Sequence, residues 1–515
     1  MTTLVLEEQE RPGRLRDFFI LDLHHHIGKE EKVKNLNPTG PDGSLYFQRS
    51  ILWGNQWKMG LLKELEENKD EFRYHPPPGG KGILRPHPAL SAFMDPDWKP
   101  FGQDLEQVFA NSYLGDLIVA FPMCDTYRDK PVEHYESAKR PTPLYAHSNE
   151  RIIEITSRFP SSLRFVPFGR VVPSQQGYTE EMDRAVSTLG VRGFKLHPKS
   201  DGYSMSDQCV ADALQHAASL DVPVIFHTSF LSEAEDLEKG VDRAIAKMVT
   251  SSGLGSGFDP KSKDRQQDGT LRELRRQVRR LRVIIGHCGW HTSEELFKLL
   301  RHPCIYGEVS GVKGEVIKRF FSLAQSTNGF EPWKDDDPQG GLARATEGLA
   351  KEGVSEALVP HLFTDPATSP QYHGWSSKVC YGTDFPFLDQ NQAIDVLKAV
   401  LSVDFPGNAH DVENFLGLNA LRIIGQKNMS PTSSQIPPTL PTPPLSSAKA
   451  CEGIRAAMED LEKRGVQRTK LRVTYQPTID TYPRLRVHPQ GFSMEIAASD
   501  KDDAPLTDTR MVCGN

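Results

Sequence analysis

The sequence predicts an α/β fold, specifically a (β/α)8 TIM barrel with insertions and a small C-terminal appendage. Short apolar segments alternate with helical segments over residues 116–424, which is typical of parallel βαβ units. Eight strand segments can be counted, and eight units in roughly 400 residues fit a closed barrel better than an open sheet. Several of these strands end in histidine or aspartate, as expected where catalytic residues gather at the C-terminal rim of a barrel.

The composition excludes some classes of partner. The chain has 515 residues, of which 25% are charged and 37% hydrophobic, and its net charge is −7. This length allows a large core and more than one domain. Mild acidity argues against nucleic acid and anionic membranes as partners, and no apolar run approaches the roughly 18 residues of a spanning helix. We expect no nucleic-acid and no membrane partner.

The N-terminus and the cysteines predict a cytoplasmic protein. Residues 1–16 are polar and charged without an apolar centre, unlike a secretory signal. The seven cysteines are scattered and form no CxxC pair, which is typical of reduced core residues.

The first barrel strand is predicted around Phe18–Gly28, where four large apolar residues lead into three histidines. A run of this kind is typical of a strand buried on both faces. Because side chains alternate along a strand, Asp22, His24 and His26 should share one side and His25 the other. Two imidazoles on one face can bind one metal ion, and imidazole suits zinc and its neighbours. The alternative is a polar loop with surface histidines.

The later elements follow in regular order. Residues 29–115 carry few strand signals, and Arg49 and Trp53 in this stretch are candidate substrate contacts in a lid or pocket wall, although a solvated insertion is an equal alternative. A second, charged insertion spans 229–280. The further strands are predicted at 117–121, 163–172, 191–197, 222–227, 283–287, 304–309 and 378–382, and the helices at 58–70, 149–159, 179–189, 208–220, 271–282, 390–401 and 416–424.

A proline-rich segment predicts the domain boundaries. Residues 428–447 are rich in Pro, Ser and Thr and should form a stiff, extended linker. We therefore expect a catalytic barrel domain over 1–427, the linker, and an appendage over 448–515 that is either small α+β or partly disordered. The appendage has a predicted helix at 448–465 and predicted strands at 471–475, 484–487 and 492–496.

The strand ends place polar residues on one rim. Strand four ends with Lys195 and His197, strand five with His227, strand six with His287 and strand eight with Asp384. Each residue alone is more often an ordinary strand-end polar group. Together with His24 and His26, however, they predict a single active site.

These motifs resemble the amidohydrolase superfamily, and more closely its amidohydrolase-related branch, which includes aminocarboxymuconate-semialdehyde decarboxylase, resorcylate-type decarboxylases and several hydrolases. The matching segments lie within about 18–425 and are 22–26 (DLHHH), 193–198 (GFKLHP), 226–227 (FH), 286–289 (GHCG), 382–386 (GTDFP) and 418–422 (LNALR). The insertion at 229–280 and the appendage depart from the family pattern.

The resemblance implies that His24, His26, His227 and Asp384 bind one divalent ion, with zinc preferred and manganese as an alternative. Such an ion lowers the pKa of a bound water and supplies a nucleophile. His287 would polarise the substrate oxygen or move a proton, and Asp384 would take the water's proton and pass it to the leaving group.

Lys195 allows a second interpretation. Some superfamily members use a carboxylated lysine on strand four to bridge two metals, which would place a second ion near His227 and His287. In the related branch this strand usually accompanies one metal. Lys195 and His197 would then line the pocket, against a substrate carboxylate.

The sequence therefore predicts a metal-dependent hydrolase of a C–N or C–O bond in a small molecule. The first alternative is a non-oxidative decarboxylase or hydratase of an unsaturated or aromatic carboxylic acid. An arginine such as Arg49, Arg73 or Arg170 aimed into the pocket would favour it. Decarboxylases with the weaker metal motif replace the first histidine by glutamate, so the intact His24 favours hydrolysis. A non-catalytic scaffold is a remote alternative, and a homodimer is common in this branch.

Overall fold

A computed structural model of the protein describes most of the barrel and parts of the flanking segments. The described residues are 2–27, 60–78, 83–86, 117–122, 145–157, 165–228, 231–255, 258–262, 264–289, 299–326, 341–363, 377–385, 387–388, 390–425, 471–476, 492–498 and 508–514. The predicted helix at 448–465, the predicted linker and the predicted strand at 484–487 lie outside them, as do Arg49 and Trp53.

Parallel strands form the centre of the molecule. They are β3 (Leu21–Ile27), β6 (Leu117–Pro122), β7 (Phe165–Pro167), β8 (Gly169–Arg170), β9 (Phe194–Leu196), β10 (Val224–Phe226), β11 (Val283–Ile285), β12 (Ile305–Glu308) and β13 (Val379–Cys380). β3, β6 and β7 pair in that order, and β8 to β13 form a second parallel series. Only Phe168 separates β7 from β8, so the two sheets together contain eight barrel strands.

The barrel closes between the first and the last of these strands. The backbone of β3 runs beside the segment that follows β13: Leu23 N donates to Tyr381 O at 3.0 Å, Asp384 N to His24 O at 2.7 Å, and His26 N to Phe385 O at 2.7 Å. This pairing removes the open edge that a parallel sheet would otherwise expose. The predicted (β/α)8 barrel is therefore confirmed.

Helices cover the outside of the barrel, and most of their buried faces form a large apolar core with the strands. A second, smaller cluster joins Ile152 of one helix to the first three barrel strands. Their bounds are 60–67, Ala146–Ser157, Tyr178–Arg184, Pro198–Asp201, Gln208–Leu220, Leu231–Ser252, Arg265–Arg280, Gly314–Ser326, Gly341–Lys351, Val359–Phe363, Gln390–Leu401, Ala409–Glu413 and Asn419–Gly425. A π-helical turn extends Tyr178–Arg184 to Leu189, and a second one, Asn414–Leu418, joins the last two helices. The charged insertion at 229–280 contains two of these helices, of which the second begins six residues before its predicted start.

A four-stranded antiparallel sheet that the sequence did not predict precedes and flanks the first barrel strand. It contains β1 (Thr2–Glu8), β2 (Leu15–Phe18), β4 (Tyr74–His75) and β5 (Ile83–Pro86), with β1 paired to the other three. β4 and β5 lie in the segment predicted to be loop-rich. Tyr74 is buried and packs edge-on against Phe18 at 4.9 Å between ring centroids, so this side chain contributes to the hydrophobic core.

The C-terminal segment forms a separate antiparallel sheet. It contains β14 (Leu471–Gln476), β15 (Phe492–Ala498) and β16 (Asp508–Gly514), in that order. The first two correspond to predicted strands, and the third was not predicted. Among the residues that the structure describes, no helix is both long and apolar enough to cross a membrane.

Candidate metal centre

Three side chains from the two strands that close the barrel meet at one point. His24 Nε2 lies 3.3 Å from His26 Nε2 and 3.2 Å from Asp384 Oδ1, and His26 Nε2 lies 3.1 Å from the same oxygen. His24 and His26 lie two residues apart on β3 and share a face, whereas His25 stacks on Phe385 at 4.7 Å between ring centroids. A register shift in the β3–β6 pairing between Asp22 and His25 places a bulge here, a feature frequent beside active sites.

The size of this triangle fits one metal ion. Ligand atoms about 2.0–2.1 Å from a tetrahedral zinc ion are separated from one another by ~3.3–3.4 Å, close to the three distances observed. Burial, the largest influence, lowers the pKa of His26 to about 3, so this imidazole stays neutral, which is its metal-binding form. Two histidine nitrogens and a carboxylate oxygen are also the donor types that zinc and manganese accept.

The backbone around Asp384 is held by a carboxylate from β3. Thr383 donates to the buried Asp22 twice, from its backbone N to Oδ1 at 2.9 Å and from Oγ1 to Oδ2 at 2.6 Å. Asp384 itself has a φ of 52°, a left-handed conformation that aspartate adopts more readily than most residues. Burial disfavours its charged form, but His24 and His26 outweigh this effect, so the pKa of Asp384 lies well below its usual range. The carboxylate is therefore held ionised in the triangle.

Glu308, at the end of β12, was not predicted as a site residue. It is fully buried and lies behind His24, whose Nδ1 is 2.5 Å from Glu308 Oε1. Burial alone would raise the pKa of Glu308, yet His24, His287 and Lys195 together lower it to about 2. The signal that could have found it is the one used for the histidines: it is the last residue of a buried strand at the same rim.

His287, His227 and His197 form a second row of rings beside the triangle. His287 Nε2 lies 3.0 Å from His227 Nδ1, and the ring of His227 stacks on that of His197 at 3.9 Å between centroids. Burial lowers the pKa of all three, to about 4 for His287 and about 2 for His197. His227 is thus placed next to His287. Among the described residues, it is in neither of the two groups whose ligand atoms all lie within 4.8 Å of one another, His24–His26–Asp384 and His24–His287–Glu308.

Lys195 is fully buried at the centre of the barrel. Its Nζ lies 3.0 Å from His24 Nε2 and 5.0 Å from the centroid of the Phe121 ring. An ammonium group at this distance donates to an unprotonated His24 Nε2. Lys195 therefore faces the triangle.

Two of the arginines considered as carboxylate clamps have other contacts. Arg73 donates to the backbone carbonyls of Gly407 at 2.9 Å and Val403 at 3.3 Å. Arg170 follows Gly169 on β8, is fully buried, and forms an ion pair with Asp201 at 3.4 Å.

Comparison with known proteins agrees with the fold. The sequence model of the family described as Amidohydrolase matches residues 125–352, a range that contains His227, His287 and Glu308 but neither β3 nor Asp384. No curated protein sequence shows significant similarity to the chain.

Several solved structures are similar to this chain at low identity. They include 2,6-dihydroxybenzoate decarboxylase from Rhizobium (13% identity, 79% of this chain and 99% of that chain, TM-score 0.36), 5-carboxyvanillate decarboxylase from Novosphingobium aromaticivorans complexed with manganese (11%, 81% and 98%, 0.36) and a protein named as a candidate 2-pyrone-4,6-dicarboxylic acid hydrolase from Pseudomonas putida (13%, 80% and 98%, 0.32). Likeness of this degree does not identify the reaction of this chain.

Proposed function

This chain belongs to the amidohydrolase superfamily and is an enzyme, and from that premise we propose that it is a metal-dependent hydrolase of a C–N or C–O bond in a small molecule. The observation that carries the proposal is the triangle of His24 Nε2, His26 Nε2 and Asp384 Oδ1, with sides of 3.3, 3.2 and 3.1 Å. A divalent ion, zinc in our proposal, would be held there. When bound, it would acidify a water molecule and polarise the substrate.

We assign His227 to the same ion as a fourth ligand. Its Nδ1 is engaged with His287 at 3.0 Å, so Nε2 is the nitrogen it offers to the ion. Stacking on His197 holds the plane of the ring. His197 and Lys195 then line the substrate pocket. Arg49 and Trp53, which lie outside the described residues, stay predicted substrate contacts.

The residues of the chain would handle the protons. Asp384 is ionised and can accept a proton from the attacking water and return it to the leaving group. Burial holds His287 neutral by lowering its pKa to about 4. Its Nε2 contacts His227 Nδ1 at 3.0 Å in this structure, and a bound substrate oxygen would take the place of that contact. The closed barrel keeps these groups nearly dry, which strengthens each interaction.

The alternative is a decarboxylase or hydratase that acts on an unsaturated or aromatic carboxylic acid. The same ligands would serve it, and it would need a cation for the substrate carboxylate. Lys195, which points at the triangle, is the observation in its favour. The ion pair of Arg170 with Asp201 and the backbone contacts of Arg73 count against those two arginines as clamps.

A substrate screen distinguishes the two reactions. Zinc- and manganese-loaded protein is assayed against a panel of lactones, amides and esters, and separately against aromatic and unsaturated carboxylic acids with detection of released CO2. Turnover in the first panel that is abolished in Asp384→Asn supports the hydrolase. CO2 release or hydration in the second panel, with the same dependence on Asp384, replaces it by the alternative. A zinc-free chain that cannot be loaded would contradict both.

A further inference from the structure

We propose that Glu308, together with Ser310, is a positioning residue that fixes the protons on His24, His287 and His227, so that Nε2 of His24 and of His227 stays unprotonated. The inference rests on the proposed function in one respect, since these two nitrogens are the ones assigned to the ion. The proton positions on His287 and His227 follow from the hydrogen bonds of the chain and do not require an ion.

The first step concerns His24. Glu308 Oε1, an ionised carboxylate oxygen, only accepts hydrogen bonds, so the proton between it and His24 Nδ1, 2.5 Å away, belongs to the histidine. A neutral His24 then has its lone pair on Nε2, towards His26 and Asp384. A histidine whose second nitrogen donates to a carboxylate is a common arrangement behind metal ligands.

In the second step, Ser310 fixes the proton of His287 on Nδ1 as well. His287 Nδ1 lies 2.9 Å from Ser310 Oγ and 3.2 Å from the Ser310 carbonyl oxygen. The carbonyl can only accept, and the hydroxyl donates to Glu308 Oε1 at 2.8 Å. Nδ1 of His287 is therefore the donor, and its Nε2 carries the lone pair.

The third step reaches His227. Because His287 Nε2 accepts, the 3.0 Å contact to His227 Nδ1 requires the proton to be on His227 Nδ1. The lone pair of His227 is then on Nε2. The Glu308 carboxylate thus fixes the proton position on three histidines. It acts directly on His24, and through the Ser310 hydroxyl on His287 and, in turn, His227.

Glu308 is itself held rigidly enough for this task. The backbone N of His287 donates to its Oε1 at 2.7 Å, and the backbone N of Ser310 to its Oε2 at 2.9 Å. A Cβ at Gly382 would lie 2.2 Å from Glu308 Oε2, so the carboxylate occupies space that only glycine leaves open.

Direct binding of an ion by Glu308 fits the geometry less well. His24, His287 and Glu308 also form a group of three potential ligands. However, the 2.5 Å between His24 Nδ1 and Glu308 Oε1 is shorter than the separation of about 3 Å or more between two ligands of one ion. It matches a charge-assisted hydrogen bond.

The direct test is the tautomeric state of the three rings in the full chain. The protein is labelled with ¹⁵N-histidine, and two-bond ¹H–¹⁵N spectra are recorded without metal and with zinc, with assignment by His24→Gln, His227→Gln and His287→Gln. We expect a proton on Nδ1 of His287 and His227 in both samples, and on Nδ1 of His24 in the zinc sample. An Nε2 proton on neutral His287 would overturn the proposal.

Zinc affinity, measured by competition with a chromophoric chelator, gives the second readout. We expect Glu308→Gln, which keeps the volume, to weaken zinc binding by roughly 10–100-fold. Ser310→Ala should weaken it less and Ser310→Thr should restore it. Ser402→Ala is the control, because Ser402 is also buried and donates to a helix carbonyl, Ala399 O at 2.7 Å.

The outcomes separate the two proposals. Unchanged zinc affinity in Glu308→Gln, with wild-type protein that binds zinc, refutes the positioning role and leaves the hydrolase intact. Wild-type protein that binds no zinc refutes the metal site, while the spectra of the metal-free chain still decide the proton positions. A second ion in the wild type that disappears in Glu308→Gln would make Glu308 a ligand instead.

Discussion

At the scale of single residues, the site depends first on the charge of Asp384. Its Oδ1 completes the triangle with His24 and His26, and an amide in its place offers an ion a neutral, weaker oxygen. We expect Asp384→Asn to reduce bound zinc from about one ion per chain to a small fraction, since removal of one ligand of a three- or four-ligand site weakens binding strongly. Inductively coupled plasma mass spectrometry of the purified proteins measures this.

The matched control is another buried aspartate. Asp242 lies 3.2 Å from His302 Nε2, in a pair outside the triangle, and Asp242→Asn keeps an acceptor for that histidine. It should retain the metal content of the wild type. Equal loss of zinc in both variants would mean that the Asp384 result reports general damage to the fold.

Replacement of His287 should reduce turnover more than it reduces metal binding. His287 has a φ of 58°, and asparagine tolerates this left-handed backbone better than most replacements. We expect His287→Asn to lower kcat by about 10²–10⁴-fold, the usual contribution of a proton-transfer group, while the protein still binds one zinc ion at saturating concentration. Steady-state kinetics on the substrate found in the screen measures kcat, and a variant with unchanged kcat would remove His287 from the reaction.

At the scale of elements, the close approach of β12 to the end of β13 can be tested with one methyl group. A Cβ at Gly382 would meet Glu308 Oε2 at 2.2 Å and His24 Cβ at 3.0 Å, so the strands would have to separate. We expect Gly382→Ala to cost about 1–3 kcal/mol of stability, as overpacking does, and to reduce zinc binding. Denaturant unfolding and metal analysis measure the two effects.

In the helix Arg265–Arg280, by contrast, a glycine has room for a methyl group. Gly269 lies in the exposed interior of this helix, and a Cβ there meets nothing within 4 Å. Gly269→Ala should therefore stabilise the protein by ~0.5–1 kcal/mol through helix propensity, and zinc binding should not change. Destabilisation at this position would show that the helix makes contacts which this reasoning omits.

The elements also show which features sequence patterns can predict. Short runs of apolar residues predicted β3 and the order of the later strands, because the burial of a short segment is a local property of the sequence. The distances between strand ends are not local. Glu308 has the same strand-end position as the histidines, but its contact with His24 could not be predicted, and neither could the place of His227 beside His287.

At the scale of the whole molecule, the antiparallel sheet at the N-terminus also depends on pairing between distant segments, which the sequence pattern did not predict. β1 contains Leu4, Val5 and Leu6, which are buried, but also Glu7 and Glu8, which made the segment look polar. Glu8 is close to Arg14 and Arg16, at 3.8 and 3.6 Å. The partners of β1 extend to residue 86, and no local pattern could predict pairing over such a separation.

The domain boundaries predicted from the proline-rich segment lead to the last experiment. The triangle, Glu308 and the row of histidines all lie within residues 24–384, and the barrel closes through β3 and the segment after β13. We propose that the chain cut after residue 425 is an independent catalytic unit.

The truncated chain should be slightly less stable and equally active. β14 lies near the helix Ala146–Ser157, so removal of the C-terminal sheet should lower Tm by a few degrees, about what 1–2 kcal/mol represents in a large domain. Zinc content and kcat/KM should stay within about twofold of the full chain, which is within ~0.4 kcal/mol. Calorimetry, metal analysis and kinetics on both chains measure these quantities. Loss of the ion on truncation would show that the C-terminal segment stabilises the metal site at the barrel rim. The predicted end of the catalytic domain would then have to be rejected.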